Sequence, residues 1–319
     1  MRVAVLAGGR SSEHEVSLAS GAAVREGLAD AGHDPIDVRI SREGRWTCEG
    51  RAVLLEPSGG LLEAETVFPA LHGPFGEDGT VQGLLELLDV PYVGAGVTAS
   101  SVAMDKALFK DLMAAHEVPQ VEYAVVRDGE QPRLSFPLPV FVKPARLGSS
   151  VGISKATSSS ELRESLRSAF DHDPLVLVER MADGLEVECS VLGNRSPEAS
   201  VPGEIVIKKG DWYDYESKYT DGGMELVVPA RVPEEVREQV RALAVRAFEL
   251  VGCSGMARVD FFVEQDRVLL NELNTIPGFT STSVYAKLFE ASGVPYPQLL
   301  DRLVELAVER HSEERRYRF

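Results

Sequence analysis

The densest chemistry in this 319-residue chain lies in two short segments, Arg258-Val259-Asp260 and Glu272-Leu273-Asn274. Side chains alternate across a strand, so Arg258 and Asp260 share one face, as do Glu272 and Asn274. A hairpin turn centred on Asp266 sets Asp260 opposite Glu272. Asp260, Glu272 and Asn274 then converge as hard oxygen donors, the set that suits Mg²⁺ bound to substrate phosphates. Arg258 beside them can stabilise charge on a transferring phosphoryl group. An exposed hairpin with mixed charges would carry the same residues. The apolar flanks Phe261, Phe262, Val263, Leu269 and Leu270 instead make the hairpin a core element, and acids on the ligand side of a core hairpin favour a metal site. Asn274-Thr275-Ile276-Pro277-Gly278-Phe279-Thr280-Ser281 follows at once, a Pro-Gly turn whose hydroxyls suit a carboxylate or phosphate.

A second group lies in Lys143-Pro144-Ala145-Arg146-Leu147-Gly148-Ser149-Ser150-Val151-Gly152. Here a lysine ends a strand and a Gly/Ser loop follows. Small residues let backbone N–H groups approach phosphate oxygens while lysine neutralises their charge; a plain hairpin tip with a solvated lysine has the same composition. Asp211 to Tyr219 is a polar loop rich in tyrosine, readable as a lid or as a surface loop with locally packed rings. His72 falls at a strand end among glycines, placed for ligand binding or for structural capping. The chain has no G-x-x-x-x-G-K phosphate loop and no G-x-S-x-G nucleophile. Gly94-Ala95-Gly96-Val97-Thr98-Ala99 matches a dinucleotide fingerprint, but no acid follows at a strand end some 20 residues later.

These residues need strands to present them. Val3 to Ala7 reads as a buried parallel strand, broken by Gly8-Gly9 and followed by a helix to about Gly32 that opens on the capping-box pattern Ser12-Glu13-His14-Glu15. Strands near Pro35–Ile40 and Thr66–Leu71 complete a small open sheet, whose ligands belong at the strands' carboxyl ends, where Gly8-Gly9 and His72-Gly73 fall. Beyond Tyr92-Val93 the pattern gives a helix over Met104–His116, strands at 139–143 and from Ile153, a helix at Glu161–Ala169 and a strand at Leu175–Glu179. An amphipathic helix follows with Val236, Val240, Leu243, Ala247 and Val251 on one stripe. The hairpin at 258–274 and a terminal helix from about Gln298 finish the chain.

Composition narrows the class. Lys and Arg total 33 against 50 Asp and Glu, a net charge of −17, which excludes a broad nucleic-acid or anionic-membrane surface. A local basic pocket for a small phosphorylated ligand is compatible with it. The three cysteines, Cys48, Cys189 and Cys253, have no disulfide or zinc spacing. No signal peptide and no bilayer-length apolar run are evident, so the expectation is a cytoplasmic protein.

Taken together the segments resemble the D-alanine–D-alanine ligases of the ATP-grasp superfamily. Gly8 to Ser17, His72 to Gly83, Met104-Asp105-Lys106, Lys143 to Gly152, Tyr213 to Tyr219 and Arg258 to Ser283 occur in that family's order along nearly the whole chain. The resemblance implies an α/β protein: an N-terminal open parallel-sheet (pre-ATP-grasp) substrate domain at 1–97, then a two-lobed α+β ATP-grasp fold with a central lobe at 98–185 and a C-terminal lobe at 186–319. It implies ATP-dependent joining of two D-alanines through an acyl phosphate for peptidoglycan precursors, with two Mg²⁺ ions (or Mn²⁺ in their place), in a homodimer.

It also implies roles. Asp260, Glu272 and Asn274 match the metal ligands; Lys106, Lys143, Ser150 and the lid residue Lys218 match nucleotide-phosphate contacts; Glu179, Met181, Ala182 and Glu186 fall where adenine and ribose bind. Glu13 matches the residue that takes the first amino group, with His72 nearby. Ser149 and Tyr219 match the residues linking lid, Glu13 and second substrate. Arg258 and the Gly278 N–H match the groups stabilising the tetrahedral intermediate, and Ser283, followed by Val284, the contact to the second carboxylate. Tyr219 favours a dipeptide product over the D-lactate ester. Met181-Ala182, Leu147 and Val284 depart mildly from the family pattern and bear on fine preference. Alternatives are a D-Ala–D-Ser or D-Ala–D-lactate ligase and, more remotely, a non-catalytic ATP-binding regulator.

Overall fold

A computed structural model describes residues 1–148, 151–208, 223–280 and 282–317, which form three sheets with helices between them. β1 (Arg2–Gly8) is buried along nearly its whole length, as its unbroken apolar run requires of a central parallel strand. Gly8 breaks it, and α1 (His14–Asp30) crosses back to β2 (Asp34–Ile40), which pairs parallel with β1. The expected capping box is not formed. Glu13 is the N-cap and makes no side-chain cap bond. Ser11 Oγ instead accepts from the Glu13 N–H at 3.2 Å and donates to the His72 carbonyl at 2.6 Å, tying the helix start to the neighbouring strand end. β3 (Trp46–Cys48) and β4 (Arg51–Ala52) add antiparallel to the β2 edge, and β5 (Thr66–Pro69) adds parallel to β1. The parallel core of the sheet was expected from the sequence, whereas its antiparallel edge was not.

α2 (Thr80–Leu88), α3 (Val97–Met104) and α4 (Lys106–Ala115) follow. Asp105 separates the last two in an extended conformation and caps α4, accepting from the Leu108 N–H at 3.1 Å, so Met104 ends one helix rather than opening the next. The second sheet is antiparallel and runs β6 (Tyr123–Arg127), β9 (Leu175–Arg180), β7 (Val140–Pro144), β8 (Ser154–Ala156), with α5 (Ser159–Phe170) packed on one face.

The third sheet holds β10 (Leu185–Gly193), with β11 (Glu198–Ala199) paired to its end, then β12 (Gly203–Ile207) and β13 (Met224–Val227). α6 (Glu234–Leu250) lays Val236, Val240, Ala244, Ala247 and Phe248 against one face of it. Leu243, expected on that stripe, is only partly buried, and Phe248 fills the core instead. β14 (Gly255–Glu264) and β15 (Arg267–Asn274) form the expected hairpin beside β10. α7 (Val284–Ala291) and α8 (Tyr296–Glu314) close the chain. Leu299, Leu300, Leu303 and Val304 of α8 share one core with Val3, Val5 and Phe68, so the first sheet and the last helix support each other. Among the described residues no helix is long and apolar enough to cross a membrane.

Candidate active site

A cavity of about 920 Å³ opens where the three sheets face one another, lined by Glu13 and His72, by Lys106 and Lys143, and by the hairpin residues Arg258, Asp260, Glu272 and Asn274. One irregularity in β15 decides which hairpin side chains reach it. Near the turn Glu264 pairs with Arg267 and Phe261 with Leu270, whereas beyond it Asp260 pairs with Glu272 and Arg258 with Asn274. Asn271 is the extra residue of a bulge between these two registers. Since strand side chains alternate, a one-residue slip flips every following side chain to the other face. Val268 and Leu270 on one side of the bulge and Leu273 on the other all enter the α6 core, which leaves Glu272 and Asn274 facing the cavity with Asp260. A regular hairpin would have turned Glu272 toward Val236 and Phe248.

The acids stand in a row across the sheet, because Glu188 of β10 lies opposite Asp260 on its other side. Arg258 joins them. Its Nε and Nη2 each donate to Asp260 at 2.7 Å, and Nε lies 2.9 Å from Glu188. Asn274 Nδ2 donates to Asp260 Oδ2 at 3.0 Å. The bidentate fork fixes Arg258 in plane against the two carboxylates. Asp260, Glu272 and the Asn274 amide oxygen are hard donors on one face, a set that fits Mg²⁺ shared with phosphates. Among the described residues no group of three or more His, Cys, Asp or Glu could hold a metal by itself.

At one end of the cavity Lys106 and Lys143 supply positive charge. Lys106 Nζ donates to the Leu147 carbonyl at 2.6 Å, holding the start of the Gly/Ser loop. Lys143 Nζ lies 2.5 Å from Glu179 Oε2, and the other oxygen of Glu179 lies 3.0 Å from Lys110 Nζ. Glu179 therefore sits behind Lys143, only 2 % exposed, and does not line the cavity. Burial alone would raise its pKa, but the two ammonium groups outweigh burial and hold it down at about 2. Met181, Ala182 and Glu186 line this same end.

At the other end Glu13 meets His72 and Glu77. His72 is buried, with Nδ1 3.2 Å from the Ile276 carbonyl and Nε2 2.9 Å from Ser20 Oγ. A carbonyl only accepts, so Nδ1 carries the proton and Nε2 accepts from Ser20. Burial pushes the imidazole pKa down against the pull of Glu13. Both ring nitrogens are thus used to tie α1 to the 275–279 turn. Glu77 accepts from the Gly73 N–H at 2.7 Å, and burial together with the Glu13 charge pushes its carboxyl up to about 8. Gly73 has φ +72°, and a Cβ there would lie 2.7 Å from Glu13 Oε2; both the backbone conformation and the nearby carboxylate favour glycine here. In the 275–283 turn Ser283 Oγ accepts from the Thr280 N–H at 3.0 Å, and Gly278, Ser283 and Val284 line the cavity.

Glu13, His72, Lys106, Lys143, Met181, Ala182, Glu186, Arg258, Asp260, Glu272, Asn274, Gly278, Ser283 and Val284 are thus brought to one cavity. Ser149, Ser150, Lys218 and Tyr219 lie outside the described residues. Lys110, Glu188 and Glu77 were given no role from the sequence. Two of them had a local signal: Lys110 is four residues beyond Lys106 on one helical face, and Glu188 two beyond Glu186 on one strand face. Glu77 had none, because only folding brings it to Glu13.

The sheet arrangement and the lysine- and acid-lined cleft define an ATP-grasp ligase. Residues 2–59 and 51–95 match the family model for the D-ala D-ala ligase N-terminus, and residues 112–305 match that for its C-terminus. A D-alanine–D-alanine ligase of Solibacter usitatus is 47% identical, covering 100% of this chain and 99% of that one. One from Deinococcus radiodurans is 46% identical, covering 97% and 98%. Among solved structures, the D-alanine–D-alanine ligase of Coxiella burnetii superposes with a TM-score of 0.89 at 36% identity, covering 99% of this chain and 96% of that one. The VanG D-Ala:D-Ser ligase of Enterococcus faecalis gives 0.86 at 33%, covering 96% and 99%. The chain belongs to the D-alanine–D-alanine ligase family, and is an ATP-dependent ligase.

Proposed function

We propose that the cavity joins two D-alanines for peptidoglycan precursor synthesis, using ATP to activate the first carboxylate. The observation that carries this reading is the bulge-set face of Arg258, Asp260, Glu272 and Asn274, opposite Lys143 and in one cavity with Glu13. A carboxylate is a poor electrophile, and phosphorylation turns one of its oxygens into part of a leaving group. A carboxylate oxygen of the first D-alanine attacks the γ-phosphorus and the bond to ADP breaks. The amine of the second D-alanine then attacks the acyl carbon, inorganic phosphate leaves with the C–O electron pair, and the nitrogen gives up a proton.

Glu13 receives the first ammonium group, with Glu77 beside it. Arg258, held in plane by Asp260 and Glu188, faces the negative charge that develops on the acyl oxygen, together with the Gly278 N–H. Lys106 and Lys143 hold the nucleotide phosphates, and Met181, Ala182 and Glu186 receive the base and ribose, with Glu179 supporting Lys143 from behind. Ser283 and Val284 receive the second substrate. His72 acts through the 275–279 turn rather than by proton transfer, since both its nitrogens are taken. Ser149, Ser150, Lys218 and Tyr219 keep the roles the family assigns them. Asp260, Glu272 and Asn274 would hold Mg²⁺ (or Mn²⁺), which when bound neutralises phosphate charge. We further propose a cytoplasmic homodimer in three parts, 1–97, 98–185 and 186–319, with no nucleic-acid or membrane partner.

Purified protein with Mg-ATP and D-alanine should release phosphate and form dipeptide in equal amounts. Phosphate release without dipeptide overturns the reading; faster product formation with D-serine or D-lactate as second substrate, in direct competition, reassigns the enzyme to the D-Ser or ester ligases.

A further inference from the structure

Beneath the lysine end of the cavity lies a buried row of three charges, Lys110, Glu179 and Lys143. Lys110 on α4 is 1 % exposed and Glu179 on β9 is 2 % exposed, and neither lines the cavity; Lys143 on β7 is 9 % exposed and does. Each carboxylate oxygen of Glu179 takes one ammonium group, at 3.0 and 2.5 Å. Two ammonium groups on one carboxylate sum to a net charge of +1, and burial of Lys110 and Glu179 keeps water from screening it on the side away from the cavity. Lys143 also feels Glu272 and Glu186. With Glu179 as a private partner, Lys143 would form a neutral pair facing two further carboxylates, and would offer a phosphate little net attraction. A buried lysine is costly, because burial pushes its charged form down, and Lys110 shows that effect. A fold needing only packing at this position would be served by leucine or methionine.

We infer that Lys110 is a positioning residue for nucleotide binding: by sharing the Glu179 carboxylate it leaves the positive charge of Lys143 available to the nucleotide phosphates. This rests on the ATP-dependent reading above, which places phosphates at Lys143. Lys110 itself touches no ligand. It lies 5.6 Å from the centre of the Tyr123 ring, which lets the ammonium keep a second favourable contact away from the cavity.

The test compares the affinities of ATP and of adenosine, at fixed Mg²⁺, for wild type, Lys110→Met, Lys110→Arg and Lys110→Met/Glu179→Gln. Removing Lys110 should weaken ATP about tenfold and leave adenosine within about twofold, since only the phosphates sense the charge. Lys110→Arg should restore most of the loss. The double variant leaves Lys143 as a lone cation, so its ATP-to-adenosine ratio should return toward that of wild type. A merely structural role would lower both affinities together, and would leave the double variant at least as impaired as the single one. Either result overturns the inference, as does unchanged ATP affinity in folded Lys110→Met. Should Lys110→Met not fold, Lys110→Gln takes its place in the same comparison, with the same expected and overturning results. Wild type that binds no ATP would overturn the functional reading itself, an outcome separate from any difference between variants.

Discussion

Glu179, buried behind the lysine end of the cavity, and Glu77, lining its Glu13 end, are carboxylates whose surroundings push them in opposite directions. Glu179 lies between two ammonium groups and is held at about 2. Glu77 lies beside another carboxylate, Glu13, and is pushed up to about 8, although the Gly73 and Ile276 N–H groups and Arg258 pull the other way. Burial opposes ionisation in both; the neighbouring charges decide the sign. The lysine end thereby keeps Glu179 ionised and Lys143 cationic, and is suited to phosphates. The Glu13 end keeps a proton near neutrality, and it can lose that proton when a cationic amine arrives to take its place.

The sharpest way to break this contrast is to remove the lysines' shared partner. Glu179→Gln leaves Lys110 and Lys143 facing each other without the carboxylate between them, and should destabilise the protein by about 3–5 kcal/mol in denaturant unfolding at pH 7. Because the folded pKa lies below the ordinary value of 4.5, the contribution of Glu179 is present above that pH and is lost as pH falls through about 2. Wild type and variant should therefore converge in acid.

Arg258 stands where the two ends meet, and Arg258→Ala should lower kcat by roughly 10²–10³-fold, about 3–4 kcal/mol, with smaller changes in KM. Loss confined to KM in a dipeptide assay would remove Arg258 from the reacting centre. Gly73→Ala acts on the Glu13 end alone. The new methyl must displace the Glu13 carboxylate, and the positive φ adds strain of about 1–3 kcal/mol. KM for D-alanine should rise while the affinity for ATP stays unchanged.

The smallest effect is on pH dependence. Glu77 has a folded pKa above its ordinary 4.5, so its stabilising contribution is complete below that pH and is lost as pH rises through about 8. Glu77→Gln removes this decline. The melting temperature of the variant relative to wild type should climb between about pH 4.5 and 8, and a constant difference across that range would show that Glu77 does not hold a proton.

Much of this was legible in the residues themselves. Burial of β1 follows from an unbroken apolar run, and the hairpin from two apolar segments around a polar turn. The opposition of Asp260 and Glu272 follows from a turn centred on Asp266, although it is realised in a different way. The turn is a two-residue one at Gln265-Asp266, and the bulge at Asn271 restores the register that the sequence suggested. Without the bulge the same turn would have placed Asp260 opposite Asn271. The capping box at Ser12 was misleading because a local pattern competed with a distant carbonyl: Ser11 bonds to His72, 61 residues away, and the helix starts where that bond allows. The antiparallel edge of the first sheet, formed by β3 and β4, had too little apolar alternation to be seen.

The sequence by itself determined which chemistry is present: hard oxygen donors with an arginine, lysines near small residues, and an order of motifs that belongs to one family. Those are properties of residue type and spacing, and they persist in the unfolded chain. The tertiary structure alone decided which charges share a partner. Glu179 stands behind Lys143 rather than against the cavity, Lys110 completes its pairing from another element, His72 spends both nitrogens on the protein, and Glu77 meets Glu13. Electrostatic energy depends on distance and on the exclusion of water, and neither quantity exists until the three sheets have closed around one cavity.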